Sequence, residues 1–523
     1  MISFHRHIAE TRGAVAAGHP LTVEAARILL EHGGNAFDAA AGAFFMACVA
    51  EPVLASLGGG GFLLGWRQGE PAPRLFDFFA RTPLDPTLPE SLDFHPIEAD
   101  FGGVTQTFHI GRGAIATPGA VPGVCEFHAR YGRLPLREVL APAIEAAREG
   151  VVVNAMQAHA FRIVQPIYLA SEEAAHTYGS PSRPGEIIGE GETLLQPALA
   201  DTLEALGREG PRLFIEGEVG QGLTALCREG GWLRLRDLRE YRVEIREPLA
   251  FGFRDHRLWT NPPPSSGGVL IAFGLRLLER LLPEGCEREA DCLPALTDVL
   301  RLTDEARREY ERGGRVHLDP EHWLDAAHIE RHLARLRGLP HARRGTTHIS
   351  ILDEDGNAAS LTTSNGEGCG HMIPGTGVMP NNMLGEEDIN PAGFHRWKPG
   401  VRLSSMMSPT IAVGSEGACL VLGSGGSNRI RSAILQVLWR LIERGDSLQA
   451  AIEAPRLHFE RGRLDIEQGV PPEIADRLCT RVDTCHRWTR RSLFFGGVHA
   501  VSRTGEGFDG HGDPRRGGVA WVG

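Results

Sequence analysis

Apolar residues recur three and four apart through TVEAARILLEH (22–32), which predicts an amphipathic helix stopped by Gly33 and Gly34. Asn35 with Asp38 three residues later makes a capping-box start, and AAAGAFFMACVA (39–50) continues with no polar face, as a helix buried on all sides does. EPVLASLGGGGFLLGW (51–66) then reads as a glycine-rich turn feeding an apolar strand. Helical periodicity returns over 135–149, 197–208, 268–282, 293–311 and 322–337. ARLRGLPHARRG (334–345) breaks that pattern with glycine, proline and arginine, which predicts an exposed link.

Beyond the link the texture changes. THISILDEDGNAASLTTS (347–364) predicts a hairpin turning at DEDGN. TIAV (410–413) and CLVLGSGGSN (419–428) predict a strand and a strand with a glycine turn, leading into the helix RIRSAILQVLWRLIERG (429–445). GGVHAVSRT and GGVAWV, near the carboxyl end, predict closing strands. Residues 1–345 are thus a helix-rich part and 346–523 a β-rich part.

With 42% hydrophobic and 23% charged residues the chain has ordinary globular composition. A formal net charge of -12 argues against nucleic-acid or acidic-membrane partners, since phosphate would be repelled over most of the surface. The single lysine, Lys398, has no motif around it that would support Schiff-base chemistry. The first residues, MISFHRHIAETRGAV, lack the apolar region of a secretory signal, so the expected location is the cytoplasm. The apolar run 39–50 falls well short of the roughly 20 residues that span a bilayer. Nine cysteines without a CxxC pair predict mostly reduced, buried thiols, with neither a disulfide framework nor a zinc knuckle.

The junction itself, RRGTTHIS (343–350), carries candidate chemistry. If the peptide between Gly345 and Thr346 is cut, Thr346 presents a hydroxyl and an α-amine together. That amine has an ordinary pKa near 8 and can take the hydroxyl's proton. An uncut junction between two structural units reads the same way in sequence. GSGGSN (423–428) offers backbone N–H groups that can converge on an oxyanion, and equally makes a tight strand-to-helix turn. Ser404 and Ser405 place adjacent hydroxyls before a strand, as turn and cap residues also do. His348 shares a strand face with Thr346 and is a base candidate or a structural residue. GGGG (58–61) is no phosphate loop, because the lysine and hydroxyl of that motif are missing, and no G-x-S-x-G, H-E-x-x-H or EF-hand pattern occurs.

From about residue 11 to the end the chain resembles the γ-glutamyltranspeptidase family. The resemblance rests on AGHPLTVEAARILLEHGGNAFDAAAGAFFMACVAEP, GGGGFLLGW, TPGAVPG, NPPPSSGG, GTTHISILDEDGNAAS, PGTGVMPNNML, LSSMMSPT, GSGGSNRI and EAPRLHF, in that order. It implies an N-terminal-nucleophile hydrolase of the α/β (α+β) class with a four-layer αββα core. It also implies self-cleavage into a large subunit, 1–345, and a small one, 346–523, held as a heterodimer. Thr346 would be the nucleophile, supported by Ser364, where the family has a second threonine. Gly426 and Ser427 would form the oxyanion hole, with Gly425 entering on a one-residue slip. Ser404 and Ser405 would bind the donor's α-carboxylate. The implied reaction moves a γ-glutamyl group through a threonine ester to water or an amino acid, without cofactor or metal.

The glutamyl-binding pattern departs from the family. Phe79 stands where an arginine grips the α-carboxylate, and Arg81 lies two residues later. Met383 and Glu386 replace the glutamine and aspartate that hold the α-amine, although Glu386 or Glu387 can still bind an ammonium. Gly366 takes the place of an asparagine, with Asn365 adjacent, and the stretch from Glu386 to Ser404 is too short for the family's lid loop. The expected activity is γ-glutamyl transfer or glutathione hydrolysis. The alternatives are an amidohydrolase of the same fold acting on another acyl group, resembling cephalosporin acylases or oxamate amidohydrolases, and an unprocessed, inactive binding protein.

Overall fold

Two antiparallel sheets lie face to face in the computed structural model, which describes residues 13–85, 92–100, 105–282, 288–312, 319–333, 346–390, 393–414 and 417–523. The first sheet runs in the order Val519–Val522, Gly13–Ala17, Thr347–Asp353, Ala358–Ser364, Gly60–Trp66, Arg74–Phe78 and Glu244–Arg246. The second runs Gly507–His511, Gly497–Thr504, Cys419–Gly425, Thr410–Val413, His256–Thr260 and Leu249–Phe253. Helices Pro20–Glu31 and Ala36–Ala50 cover the outer face of the first sheet, and Gly267–Leu281 and Arg429–Ile442 cover that of the second. This is the four-layer αββα architecture.

Strand alternation sorts the core. In Thr347–Asp353, Ile349 and Ile351 pack toward the first helices with Phe37 and Phe44, whereas Leu352 joins Phe62 and Leu64 on the other face. His348 and Ser350 share Leu352's face, so the layer between the sheets is partly polar near the start of this strand. Hydroxyls cross it: Ser350 Oγ donates to the His499 carbonyl and Ser360 Oγ to that of Leu422, both at 3.0 Å. The second helix forms as its sequence dictates, with both reciprocal capping bonds between Asn35 and Asp38 and every residue of Ala36–Ala50 buried. Its small side chains let the first helix approach until a methyl on Gly42 would stand 2.1 Å from Leu29 Cδ1.

One expectation is corrected. The helix expected over 322–337 is two, Pro320–Leu324 and Ala326–Leu333, because Asp325 is extended and its carboxylate caps the Ala327 N–H instead; residues 334–337 lie outside the described residues. Of the described cysteines, Cys48, Cys125, Cys227, Cys369 and Cys419 are free and buried, in keeping with mostly reduced thiols, while Cys479 and Cys485 are joined across six positions and Cys292 is also disulfide-bonded. Each sheet takes strands from both sides of the 345/346 junction; Gly13–Ala17 sits between Thr347–Asp353 and Val519–Val522. Among the described residues no helix is long and apolar enough to cross a membrane.

Candidate active site

Thr346 stands one residue before its strand and is 4% exposed. Thr347 pairs with Thr363, and one further step of that register sets Ser364 opposite Thr346. The Ser364 hydroxyl accepts the Gly366 N–H at 3.0 Å. Behind Thr346 lies Gly425, whose Cα approaches so closely that a methyl there would be 1.9 Å from the Thr346 carbonyl oxygen. Arg516 Nη1 donates to that same oxygen at 3.2 Å. Gly345 and the whole link 334–345 lie outside the described residues.

The neighbours of Thr346 along the strand divide by face. Thr347 turns toward the helices, where its hydroxyl donates to Glu51 Oε2 at 3.0 Å, and Thr22 donates to Glu51 Oε1 at 2.9 Å. Burial raises the Glu51 carboxyl to about 7 against the pull of these hydroxyls and of Arg516. Burial likewise lowers Arg516 to about 10, opposed by Asp513, Glu367 and Glu51. His348 turns between the sheets, with Nδ1 at 2.8 Å from Thr362 Oγ1 and Nε2 at 2.9 Å from Ser350 Oγ. Its complete burial drives its pKa well below the ordinary value, and it rests on Gly423. The structural role of His348 therefore replaces its candidacy as base: both nitrogens are occupied and the ring is a post between sheets.

The strand Cys419–Gly425 ends in Gly426, at φ +114°, and Ser427, at φ +50°, before the helix Arg429–Ile442 begins. A non-glycine residue in the left-handed region costs on the order of 1 kcal/mol, and such strain gathers at functional sites. Gly426 is wedged against Gly496 and the Arg516 guanidinium. The turn thus brings Gly425 and the start of a long buried helix close to Thr346. Of these residues, Gly425 packs directly on the Thr346 carbonyl.

A second path leads from Ser364 to the serine pair. Ser364 pairs with Gly60, the Cα of Gly60 abuts Phe79 and Ala80, and the Ala80 carbonyl accepts the Leu403 N–H at 3.0 Å. Ser404 Oγ donates to the Pro264 carbonyl at 2.9 Å, and Ser405 Oγ accepts the Met407 N–H at 3.1 Å. Phe79 is 2% exposed and stacks on Phe62 with ring centroids 5.4 Å apart, so it is a core residue. Arg81 donates Nη1 to the Glu240 carbonyl and Nη2 to the Asp237 carbonyl, both at 2.9 Å. A guanidinium that sequence reasoning overlooked, Arg402, is buried against the Phe79 carbonyl at 2.6 Å, the Tyr241 hydroxyl at 2.5 Å and Asp77 at 3.2 Å.

The third side is built around Gly366, at φ +65°. A methyl there would lie 2.2 Å from both Asn382 Oδ1 and Glu386 Oε1. The Asn382 amide and the Glu386 carboxylate therefore occupy the space a side chain at 366 would fill. Glu386 is 6% exposed, Glu387 is exposed, and Met383 is buried in the core. Asn365 donates weakly to the Met379 carbonyl at 3.4 Å, and its buried Oδ1 has no partner among the described residues. Thr346, Ser364, Gly366 and Glu386 thus form one continuous wall. Sequence reasoning missed Glu51, Arg402, Asn382 and Arg516, which carry no local motif of their own.

A γ-glutamyltranspeptidase family model matches residues 22–523. The chain belongs to this family. It is 33% identical to the acylase ACY 1 proenzyme of Pseudomonas sp. (strain V22), across 95% of this chain and 91% of that protein. It is 28% identical to the glutathione hydrolase proenzyme of Bacillus subtilis (strain 168), across 97% and 91%. The crystal structure of cephalosporin acylase from Bacillus halodurans superposes over 100% of both chains with a TM-score of 0.84 at 24% identity, which shows the shared fold. As a γ-glutamyltranspeptidase family member the chain is of an enzyme family, and its fold is that of the N-terminal-nucleophile hydrolases.

Proposed function

We propose that this chain is a precursor that cuts itself between Gly345 and Thr346, and that the products, 1–345 and 346–523, remain together as an amide hydrolase of acylase type. The α-amine of the new terminus takes the Thr346 hydroxyl's proton as the oxygen attacks the substrate carbonyl. The turn at Gly425 to Ser427 stabilises the oxyanion, the amine leaves with a proton, and water hydrolyses the threonine ester. The interleaved strands support retention of both pieces, because separating them would open both sheets.

The observation that carries the acylase reading over the γ-glutamyl one is the state of the carboxylate grip. Phe79 is packed in the core, and Arg81 and Arg402 spend their paired donors on protein carbonyls and Asp77. A bidentate clamp on an α-carboxylate needs such donors. The γ-glutamyl reading keeps the support of Ser404, Ser405 and Glu386. Intact mass and N-terminal sequencing come first, with a fragment beginning Thr-Thr-His expected from the native protein and none from Thr346→Ala. The mature enzyme should then hydrolyse a cephalosporin side-chain amide at least 10-fold faster than a γ-glutamyl anilide, and the opposite ranking would reinstate the γ-glutamyl donor.

A further inference from the structure

Gly385, beside Glu386, lies against His109: a methyl on it would stand 2.1 Å from the His109 carbonyl oxygen, which also accepts from Asn382 Nδ2 at 3.3 Å. From His109 a set of rings continues outward. Phe94 stacks on it at 4.8 Å, Phe394 stands 4.4 Å from it, and His395 is 4.5 Å from Phe94. Trp397 follows at 5.5 Å from His395 and 5.4 Å from Trp232. Trp232 is buried at the base, whereas Phe94, His109, Phe394, His395 and Trp397 are each only partly covered. The rings therefore form an aromatic surface open on one side and joined to the wall that runs through Gly366 to Thr346.

Two features set this surface apart from ordinary packing. The Nδ1 atoms of His109 and His395 are both buried and have no hydrogen-bond partner among the described residues. An unmade bond of this kind costs about 1–3 kcal/mol, and a ligand can recover it. His395 is also held at φ +60°, a conformation that persists where surrounding structure imposes it. Burial lowers the pKa of both imidazoles, which keeps them neutral near pH 7 and able to donate or accept. The surface draws Phe94, His109 and Trp232 from before the 345/346 junction and Phe394, His395 and Trp397 from after it.

We propose that this surface is a subsite for an aromatic or heteroaromatic ring of the amide substrate, stacked on Phe394 and Trp397 with a polar ring substituent meeting a histidine Nδ1. The proposal rests on the proposed function only for the ring belonging to a hydrolysed amide. Binding is read without turnover, by quenching of tryptophan emission in the purified full-length protein. The probes are benzamide, with its ring on the acyl side, acetanilide, with its ring on the amine side, and acetamide as the aliphatic control. At least one aromatic probe should saturate at a concentration 10-fold or more below acetamide, and which one does so assigns the ring to acyl or amine side. Phe394→Leu, which keeps apolar volume and loses the ring, should weaken that binding at least 5-fold while intact mass matches the native protein's processing. Aromatic probes binding no tighter than acetamide, or unchanged binding in a folded Phe394→Leu, would overturn the subsite. Failure of processing or hydrolysis would instead strike the proposed function and leave this measurement readable.

Discussion

The Thr346 carbonyl is met by the backbone of Gly425 and by the Arg516 guanidinium, whereas Gly366 is met by the side chains of Asn382 and Glu386. Gly425 meets the Thr346 carbonyl at a separation no side chain tolerates, and the turn that follows it is held by Gly426 and Ser427 at positive φ. On the other wall, Phe79 fills a core position, Glu386 fills the space over Gly366, and Arg402 is held by carbonyls and Asp77. Backbone geometry is set by the whole sheet sandwich and moves little when one residue changes. A side-chain pocket can be rebuilt one substitution at a time. On the proposed function, the contrast would let one family carry members named as acylases and as glutathione hydrolases on the same fold.

The largest effect expected from breaking the backbone half is that of Gly425→Ala. A methyl 1.9 Å from the Thr346 carbonyl oxygen must push Thr346 or the turn aside. A displacement near 1 Å costs a reaction about 100-fold. Hydrolysis by the mature variant, or the rate of appearance of the fragment starting at Thr346, should fall by at least about that factor. A variant that processes and turns over normally would show that this contact does not position Thr346.

The same contrast explains what could be read from sequence. Helices with strong periodicity, the 347–364 hairpin, the strand and turn at 419–428 and the capping box at Asn35 are local patterns, and the structure reproduces them. The pairing of Gly13–Ala17 with strands more than 300 residues away is not local, so nothing in its own residues shows it. In the site, the departures at Phe79 and Gly366 were visible as residues, but their compensations were not. Nothing near Arg402 or Glu386 in the chain announces that each lies against a position far from it in sequence. Arg516 and Glu51 became site residues only through burial, which a single carboxylate or guanidinium does not reveal.

Phe79→Arg tests the side-chain half. The substitution restores the residue type that the γ-glutamyl grip uses, but in this pocket it removes the stack on Phe62 and adds a second guanidinium where Arg402 already bonds the Phe79 carbonyl. An uncompensated buried charge costs several kcal/mol, on the order of 3–5 kcal/mol. Thermal unfolding should shift down sharply and no γ-glutamyl anilide activity should appear. A stable variant that gains this activity would mean that the pocket needs only one residue to revert.

Glu51 asks whether the nucleophile end also depends on a side chain, because its carboxylate holds Thr347 and lies within reach of the Arg516 charge. Its pKa is raised from 4.5 to about 7 by burial, so the folded protein binds a proton there more tightly than the unfolded chain does. The resulting stabilisation is complete below pH 4.5 and is lost as pH rises through 7, a change of about 3 kcal/mol across that window. Glu51→Gln keeps a carbonyl acceptor for one threonine hydroxyl, offers its NH2 as a donor to the other, and cannot titrate. Between pH 5 and pH 8 the native protein should therefore lose thermal stability relative to Glu51→Gln, and the two melting profiles should converge toward acid pH. Parallel profiles would mean that the Arg516 charge and the two hydroxyls hold Glu51 in one protonation state throughout. The wall behind Thr346 would then be as insensitive to pH as a backbone contact.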